Sequence, residues 1–283
     1  MKKIIYIVLN LFLFLGFVFP ESYPIFSSSL SYNQVHDYRT GINVEKLDDY
    51  ENLHNKNKVK KLVVNVIRDD RQDYFEKHYN NGFLVRDISH VHEYSDDILK
   101  YDEKGYLLKK GDNFSYNYLS DTERDYFYCG KKRKNEKIFC ENKTVTIKTQ
   151  NFTTLLSTGE IIKDGYVIEK FYYNDENLIC YEGENWNWKG VKSEFVKNLN
   201  FYYDEKNRLI KITSGYKDDI RTITFISYDG NENIDELKVF GQNNELYYSV
   251  KFYNYDKYGN WKKQENLVNG EVTKTVIREI FYN

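Results

Sequence analysis

The stretch "SHVHEY" carries His90 and His92 at positions i and i+2. On a β-strand that spacing puts both imidazoles on one face. With Glu93 or His78 they could hold a divalent metal, because imidazole and carboxylate are zinc ligands. Nothing in the spacing fixes a third ligand, so no metal is expected. "DGNENID" presents oxygen ligands at Asp229, Asn231, Asn233 and Asp235, like the start of a calcium loop. Ile234 stands where such a loop needs Gly, and Phe240 where it needs Glu, so a turn is expected instead. The motifs of nucleophilic, phosphate-binding and dinucleotide-binding enzymes do not occur. The acidic pairs Asp69-Asp70, Asp96-Asp97 and Asp218-Asp219 are sequence neighbours, which face opposite sides of a strand. The chain therefore reads as a non-enzyme without a cofactor.

Aromatic residues offer binding chemistry. "ENWNWKG" puts Trp186 and Trp188 on one face at period two. Exposed, the two rings would form a stacking platform for a sugar or a protein partner; buried, they would be ordinary core. Tyr172 and Tyr202 lie on the opposite strand face from their apolar neighbours. These four residues are the candidate binding set. The three cysteines are Cys129, Cys140 and Cys180. In "CGKKRKNEKIFC", a two-residue loop at Lys134-Asn135 would set Cys129 opposite Cys140, the geometry of a cross-strand disulfide. The alternative is two buried free thiols. Cys180 is expected in the core, beside Ile179.

The amino-terminal residues address compartment. Lys2 and Lys3 precede an apolar run from Ile4 to Phe19. That run is short for a membrane span and suits the core of a signal peptide. Residues 1–22 are read as that signal, cut near Ser22, so the chain is expected in the periplasm or on the cell surface. No other segment is apolar enough to span a membrane. With 41 basic and 43 acidic residues the net charge is −2, which argues against a nucleic-acid partner.

The elements that position these residues follow from composition and repetition. There are 28 Tyr and 18 Phe, while both prolines (Pro20 and Pro24) precede the main body, so β-structure is favoured. Residues 23–58 are polar and irregular, with one short helix suggested by Val44, Leu47, Tyr50 and Leu53. "KVKKLVVNVIRDD" begins the first long strand at Val59.

A repeat follows. Tyr101 opens "YDEKGYLLKK", Tyr203 "YDEKNRLIKI" and Tyr255 "YDKYGNWKK". Tyr173 and Tyr228 open similar stretches, and Tyr79 a shorter one. A period of about 25 residues marks a repeat architecture. The gap from Tyr101 to Tyr173 leaves room for two weaker copies, at Tyr128 and in "LLSTGEIIKDG". Two residues before each Tyr, at Leu99, Phe171, Phe201, Ile226 and Tyr253, an inward strand residue is expected. The following Asp or Asn accepts a backbone amide two residues on. Four residues after the Tyr, Gly105, Asn177, Asn207 and Gly259 supply positive φ for a hairpin turn. Asn269-Gly270 marks one further hairpin.

The Tyr-Asp-x-x-Gly-x-Leu motif resembles the YD-repeat (Rhs-type) family over about residues 59–283. That resemblance implies hairpins joined edge to edge into long curling sheets. Large members wrap a shell around a toxin or act in cell adhesion; with about eight hairpins and no separate toxin region, the shell role is not expected. The expected fold is all-β, a meander of consecutive antiparallel hairpins forming one long twisted, curling repeat sheet. The expected function is an exported, non-enzymatic envelope protein that binds a protein or glycan. A structural, assembly or toxin-neutralising role is the second reading, and a hydrolase built on His90 and His92 the third.

Overall fold

The computed structural model describes residues 53–283, apart from 92–93, 104–105, 121, 142, 155–159, 175–176, 194–196 and 217–218, together with short strands at 36–37 and 42–43. The signal segment, most of the helix expected from Val44 and the motif position Gly105 lie outside the described residues. β1 (His36–Asp37) pairs with β2 (Ile42–Asn43), and a 3-10 turn at Lys56–Lys58 leads into the main sheet.

That sheet begins with β3 (Val59–Arg68), β4 (Gln72–Asn80), β5 (Phe83–His90), β6 (Tyr94–Tyr101), β7 (Leu107–Lys110), β8 (Phe114–Ser120) and β9 (Glu123–Tyr128). It continues through β10 (Lys131–Glu141), β11 (Thr144–Thr154), β12 (Ile161–Tyr173), β13 (Leu178–Trp186) and β14 (Lys197–Tyr203). The last arc is β15 (Leu209–Tyr216), β16 (Asp219–Tyr228), β17 (Ile234–Phe240), β18 (Leu246–Tyr253), β19 (Lys263–Val268) and β20 (Glu271–Tyr282). Each strand pairs antiparallel with the next, as expected of a hairpin meander. The sheet does not stay an open curl, however. β20 returns to β3, with Val276 opposite Val66 and Tyr282 opposite Val59, and closes a barrel of eighteen strands. Closure gives every strand two neighbours and removes the exposed edges an open sheet would present.

Period-two burial sorts the two faces. β3 buries Leu62, Val64 and Val66; Phe171, Leu199 and Val250 are fully buried in β12, β14 and β18. These side chains belong to one apolar cluster on the inner face. The outer face carries ion pairs: Lys61 to Glu76 at 2.9 Å, Arg86 to Asp96 at 2.6 Å and Lys137 to Glu123 at 3.0 Å. The same face also exposes large apolar side chains, among them Ile98, Phe139, Phe225 and Phe281.

The motif turns follow the expected chemistry and add to it. Asp204 Oδ1 accepts the amides of Lys206 at 3.0 Å and Arg208 at 2.9 Å. Asp229 does the same with Asn231 and Asn233, and Asp256 with Tyr258 and Asn260. Each Asp thus accepts the amide two residues on, as the sequence predicts, and also the one four residues on. Asn207 and Gly259 hold φ of 66° and 79°. The tyrosines do more than line a face. Tyr101 donates its hydroxyl to the Leu84 carbonyl at 2.7 Å, Tyr118 to Leu107 at 2.9 Å, Tyr203 to Leu178 at 2.9 Å and Tyr228 to Leu209 at 2.8 Å. Tyr255 donates to the Ile234 carbonyl in the same way. Each hydroxyl ties one hairpin to the start of the preceding return strand.

Three expectations change. Leu99, Phe171, Phe201 and Ile226 are buried, but Tyr253 turns outward and donates to Glu265 at 3.0 Å. Phe252 takes the inward place because Asn254, at φ 57°, adds a residue before Tyr255. The β9–β10 turn is Cys129-Gly130, with φ of 49° and 73°, and not Lys134-Asn135. Cys-Gly, with Gly at the second position, suits a two-residue hairpin turn better than Lys134-Asn135. Lys134 and Asn135 instead pair inside the sheet with Tyr126 and Asp125. Cys129 is therefore a free thiol exposed in the turn, while the backbone of Cys140 pairs with Val145 at the far end of β10. The cross-strand disulfide is not formed. The weaker repeat copy at Tyr128 also moves, and the turn of the copy in "LLSTGEIIKDG" lies outside the described residues. The turn after Tyr128 lies at the end of the barrel opposite the motif turns, and Tyr118 makes the motif hydrogen bond instead.

Candidate functional site

β12 and β13 place two of the predicted binding residues, Tyr172 and Trp186, on the outer face. Tyr166 lies opposite Trp186, and their rings stack with centroids 5.3 Å apart and planes 13° apart. The Lys148 ammonium sits 4.5 Å from the Tyr166 ring centre, and that of Lys192 5.9 Å from the Trp186 ring. The indole of Trp186 donates to Glu184 at 3.3 Å, and Lys192 pairs with the same carboxylate at 2.7 Å. Lys192 holds Glu184 below the usual carboxylate range against the opposing effect of burial. β13 ends at Trp186, so Trp188 leaves the sheet and enters the turn that follows. Asn187 accepts the amides of Lys189 and Val191 at 2.9 and 3.0 Å and fixes that turn. Trp188 is 68% exposed.

Tyr172 and Tyr202 are also on the outer face but do not join this group. Tyr172 donates to Glu182 at 2.9 Å. Tyr202 is exposed beside Lys211, 4.9 Å from its ring centre. Tyr166 completes the stack, and its outward place could have been read from the alternation Tyr166, Ile168, Lys170, Tyr172. His90 packs between Tyr74 and Tyr94, at 5.7 and 4.7 Å, and His92 lies outside the described residues. Among the described residues no group of three or more His, Cys, Asp or Glu is placed to hold a metal.

The inner face contains a polar cluster within its apolar lining. Arg124, buried, donates to Glu136 at 2.6 Å and to the Tyr118 hydroxyl at 3.4 Å. Tyr181 donates to Glu169 at 3.0 Å. Burial pushes the Glu169 carboxyl up to about 7; Glu136 adds to the rise, while Tyr181, Lys134 and Lys197 oppose it. Gly183 makes room for this contact, since a Cβ there would lie 2.6 Å from the Tyr181 hydroxyl. The sequence signal was Glu169 itself, in the inward series Val167, Glu169, Phe171.

A cavity of about 310 Å³ opens at the motif-turn end, between the Asp229 and Asp256 turns and Leu53–His54. Arg278 forms its floor. The guanidinium lies 3.5 Å from the Trp261 ring centre and donates to the Trp261 carbonyl at 2.9 and 2.6 Å. Burial lowers Arg278 to about 9, which leaves it cationic at neutral pH. Asn260 bridges the wall: it accepts the His54 amide at 2.6 Å and donates to the His54 carbonyl at 3.1 Å and the Tyr282 hydroxyl at 3.0 Å.

No family model and no curated protein matches the chain. Among solved structures, a porin-like protein from Bacteroides vulgatus aligns at a TM-score of 0.47 and 12% identity, over 80% of this chain and 98% of that one. The TcdB2-TccC3-TEV structure aligns at 0.27 and 11%, over 72% of this chain and 14% of that one. A DUF1329 family protein from Desulfovibrio piger aligns at 0.21 and 7%, over 81% of this chain and 88% of that one. These similarities are too slight to carry an argument about function.

Proposed function

We propose that this chain is an exported, non-enzymatic binding protein of the bacterial envelope, of the YD-repeat type, which holds a protein or glycan partner on its outer aromatic face. The observation that carries the reading is the Tyr166–Trp186 stack with Trp188 left open to solvent beside it. A stacked pair has little side-chain entropy left to lose, and an exposed indole offers a large apolar face next to polar neighbours. Lys148, Lys189 and Lys192 supply donors around the rings. Export rests on the Lys2-Lys3 and Ile4–Phe19 segment.

The test uses the mature full chain against an immobilised glycan array and, separately, envelope proteins captured from the producing cell. Trp188→Ala is expected to weaken the interaction by about tenfold or more. The cooperative melt should stay unchanged, because Trp188 covers nothing in the core. Retention of all binding by Trp188→Ala and by Trp186→Ala with Trp188→Ala would overturn the reading. Recovery of the chain from the producing cell with residues 1–22 still attached would count against the signal peptide.

A further inference from the structure

The cavity at the motif-turn end has features that the outer aromatic face does not account for. Its wall is mostly ring and aliphatic surface from Tyr228, Ile234, Tyr255, Tyr258 and Trp261. Its volume of about 310 Å³ falls at the small end of ligand pockets, about 300–1,000 Å³. The Tyr228 and Tyr255 hydroxyls are engaged by backbone carbonyls, so these tyrosines offer ring carbons rather than hydroxyls, Tyr228 only on the face that Arg208 leaves open. The cavity's polar surface carries acceptors: the Glu232 carboxylate, one oxygen of which holds the Lys206 ammonium at 2.6 Å, the Asn233 side-chain oxygen and the His54 ring. Asn233 Oδ1 and the His54 ring both lie across from Gly259, 3.7 and 3.9 Å from where a Cβ would stand.

Charge narrows the ligand class. A cation is disfavoured because the rings already carry the protein's own cations. Arg208 lies 4.6 Å from the Tyr228 ring centre, Lys58 and Lys257 5.1 and 5.0 Å from that of Tyr258, and Arg278 over Trp261. An anion is disfavoured because Arg278 is 2% exposed with two donors on the Trp261 carbonyl, and the Glu232 carboxylate at the opening already pairs with Lys206 at 2.6 Å. An uncharged ring with hydroxyl donors on its rim and C–H faces above and below satisfies both constraints.

The rim also contains a strained turn. The turn position after Asp204 is Asn207, and after Asp256 it is Gly259, residue types that tolerate positive φ. After Asp229 it is Glu232, held at φ 65°. Cys129 and Lys143 hold the same conformation away from the cavity, and the Glu232 side chain pairs with Lys206 at 2.6 Å, so this turn accompanies the cavity without by itself marking a ligand.

We infer that this cavity is a second binding site, which takes an uncharged sugar of one or two rings. The inference does not depend on the outer face, and the variants separate the two. Cellobiose, maltose and N,N′-diacetylchitobiose are titrated into the full chain by calorimetry, with choline and glucose 6-phosphate as charged comparators. Saturable binding is expected for at least one disaccharide. Glu232→Gly should weaken it about tenfold while raising the melting midpoint, and Tyr258→Ala should also weaken it. Trp188→Ala should leave it unchanged. If Tyr258→Ala fails to fold, Glu232→Gly decides alone. The inference is overturned if none of the disaccharides binds or if a charged comparator binds more tightly. It is equally overturned if Glu232→Gly binds like the parent or if Trp188→Ala abolishes the interaction.

Discussion

The Tyr228 hydroxyl donates to the carbonyl oxygen of Leu209, nineteen residues earlier and 2.8 Å away. The bond spans from the end of β16 to the start of β15, so each hairpin is fastened to the one before it. The residue type is thereby explained. Phe would pack the same face, but only Tyr can also satisfy the carbonyl.

Removing that hydroxyl tests the fastening. Tyr228→Phe is expected to cost about 1–2 kcal/mol, since a part-buried hydrogen bond is lost and the ring is kept. Tyr203→Phe should behave alike through Leu178. Urea melts in which both variants match the parent would show that the ladder adds no stability.

The turn positions give a pair of opposite effects. Gly259 stands at φ 79° with only ordinary contacts waiting for a side chain, so any penalty there is one of backbone conformation. Gly259→Val is expected to lose roughly 1–3 kcal/mol, and Gly259→Asn much less. Glu232→Gly should go the other way, raising the melting midpoint by a few degrees, because its pairing with Lys206 is exposed. Equal melting of Gly259→Val and Gly259→Asn would refute the assigned turn.

Glu169 gives a prediction in pH. Its carboxyl titrates near 7 in the fold, above its ordinary 4.5, so the folded state binds the proton more tightly than the unfolded chain. The associated stability is complete below about pH 4.5 and is lost as pH rises through about 7, by on the order of 3 kcal/mol in all. Glu169→Gln should therefore be the more stable protein at pH 8 and close to the parent at pH 4. A parent melting curve that does not change between those pH values would contradict this.

What could be read from the sequence was local. The turns were legible because Asp204, Asp229 and Asp256 act on amides two and four residues away. The strand faces were legible where alternation was unbroken, as in β12, and failed at Asn254, where one left-handed residue shifts the parity and exchanges Tyr253 for Phe252. The Cys129-Gly130 turn was missed because equidistance between two cysteines outweighed the stronger turn dipeptide beside one of them. Closure was beyond reach for a different reason. Whether β20 meets β3 depends on curvature summed over eighteen strands, and no short window of residues carries that sum. The cavity escaped for the same reason, since His54 and Asn260 come together only through that meeting.

The seam between β3 and β20 also sets an order of events during biosynthesis. All other neighbours in the barrel are consecutive hairpin partners and can zip as they emerge. The first strand of the barrel must instead wait for the last, holding Val59 to Arg68 as an unsatisfied edge while the rest of the sheet is made. Contacts of such sequence separation are the slowest to form. The vulnerable species is thus a nearly complete, unzipped sheet with two sticky edges, and a chaperone acting on this chain would have to protect those two edges rather than any collapsed core.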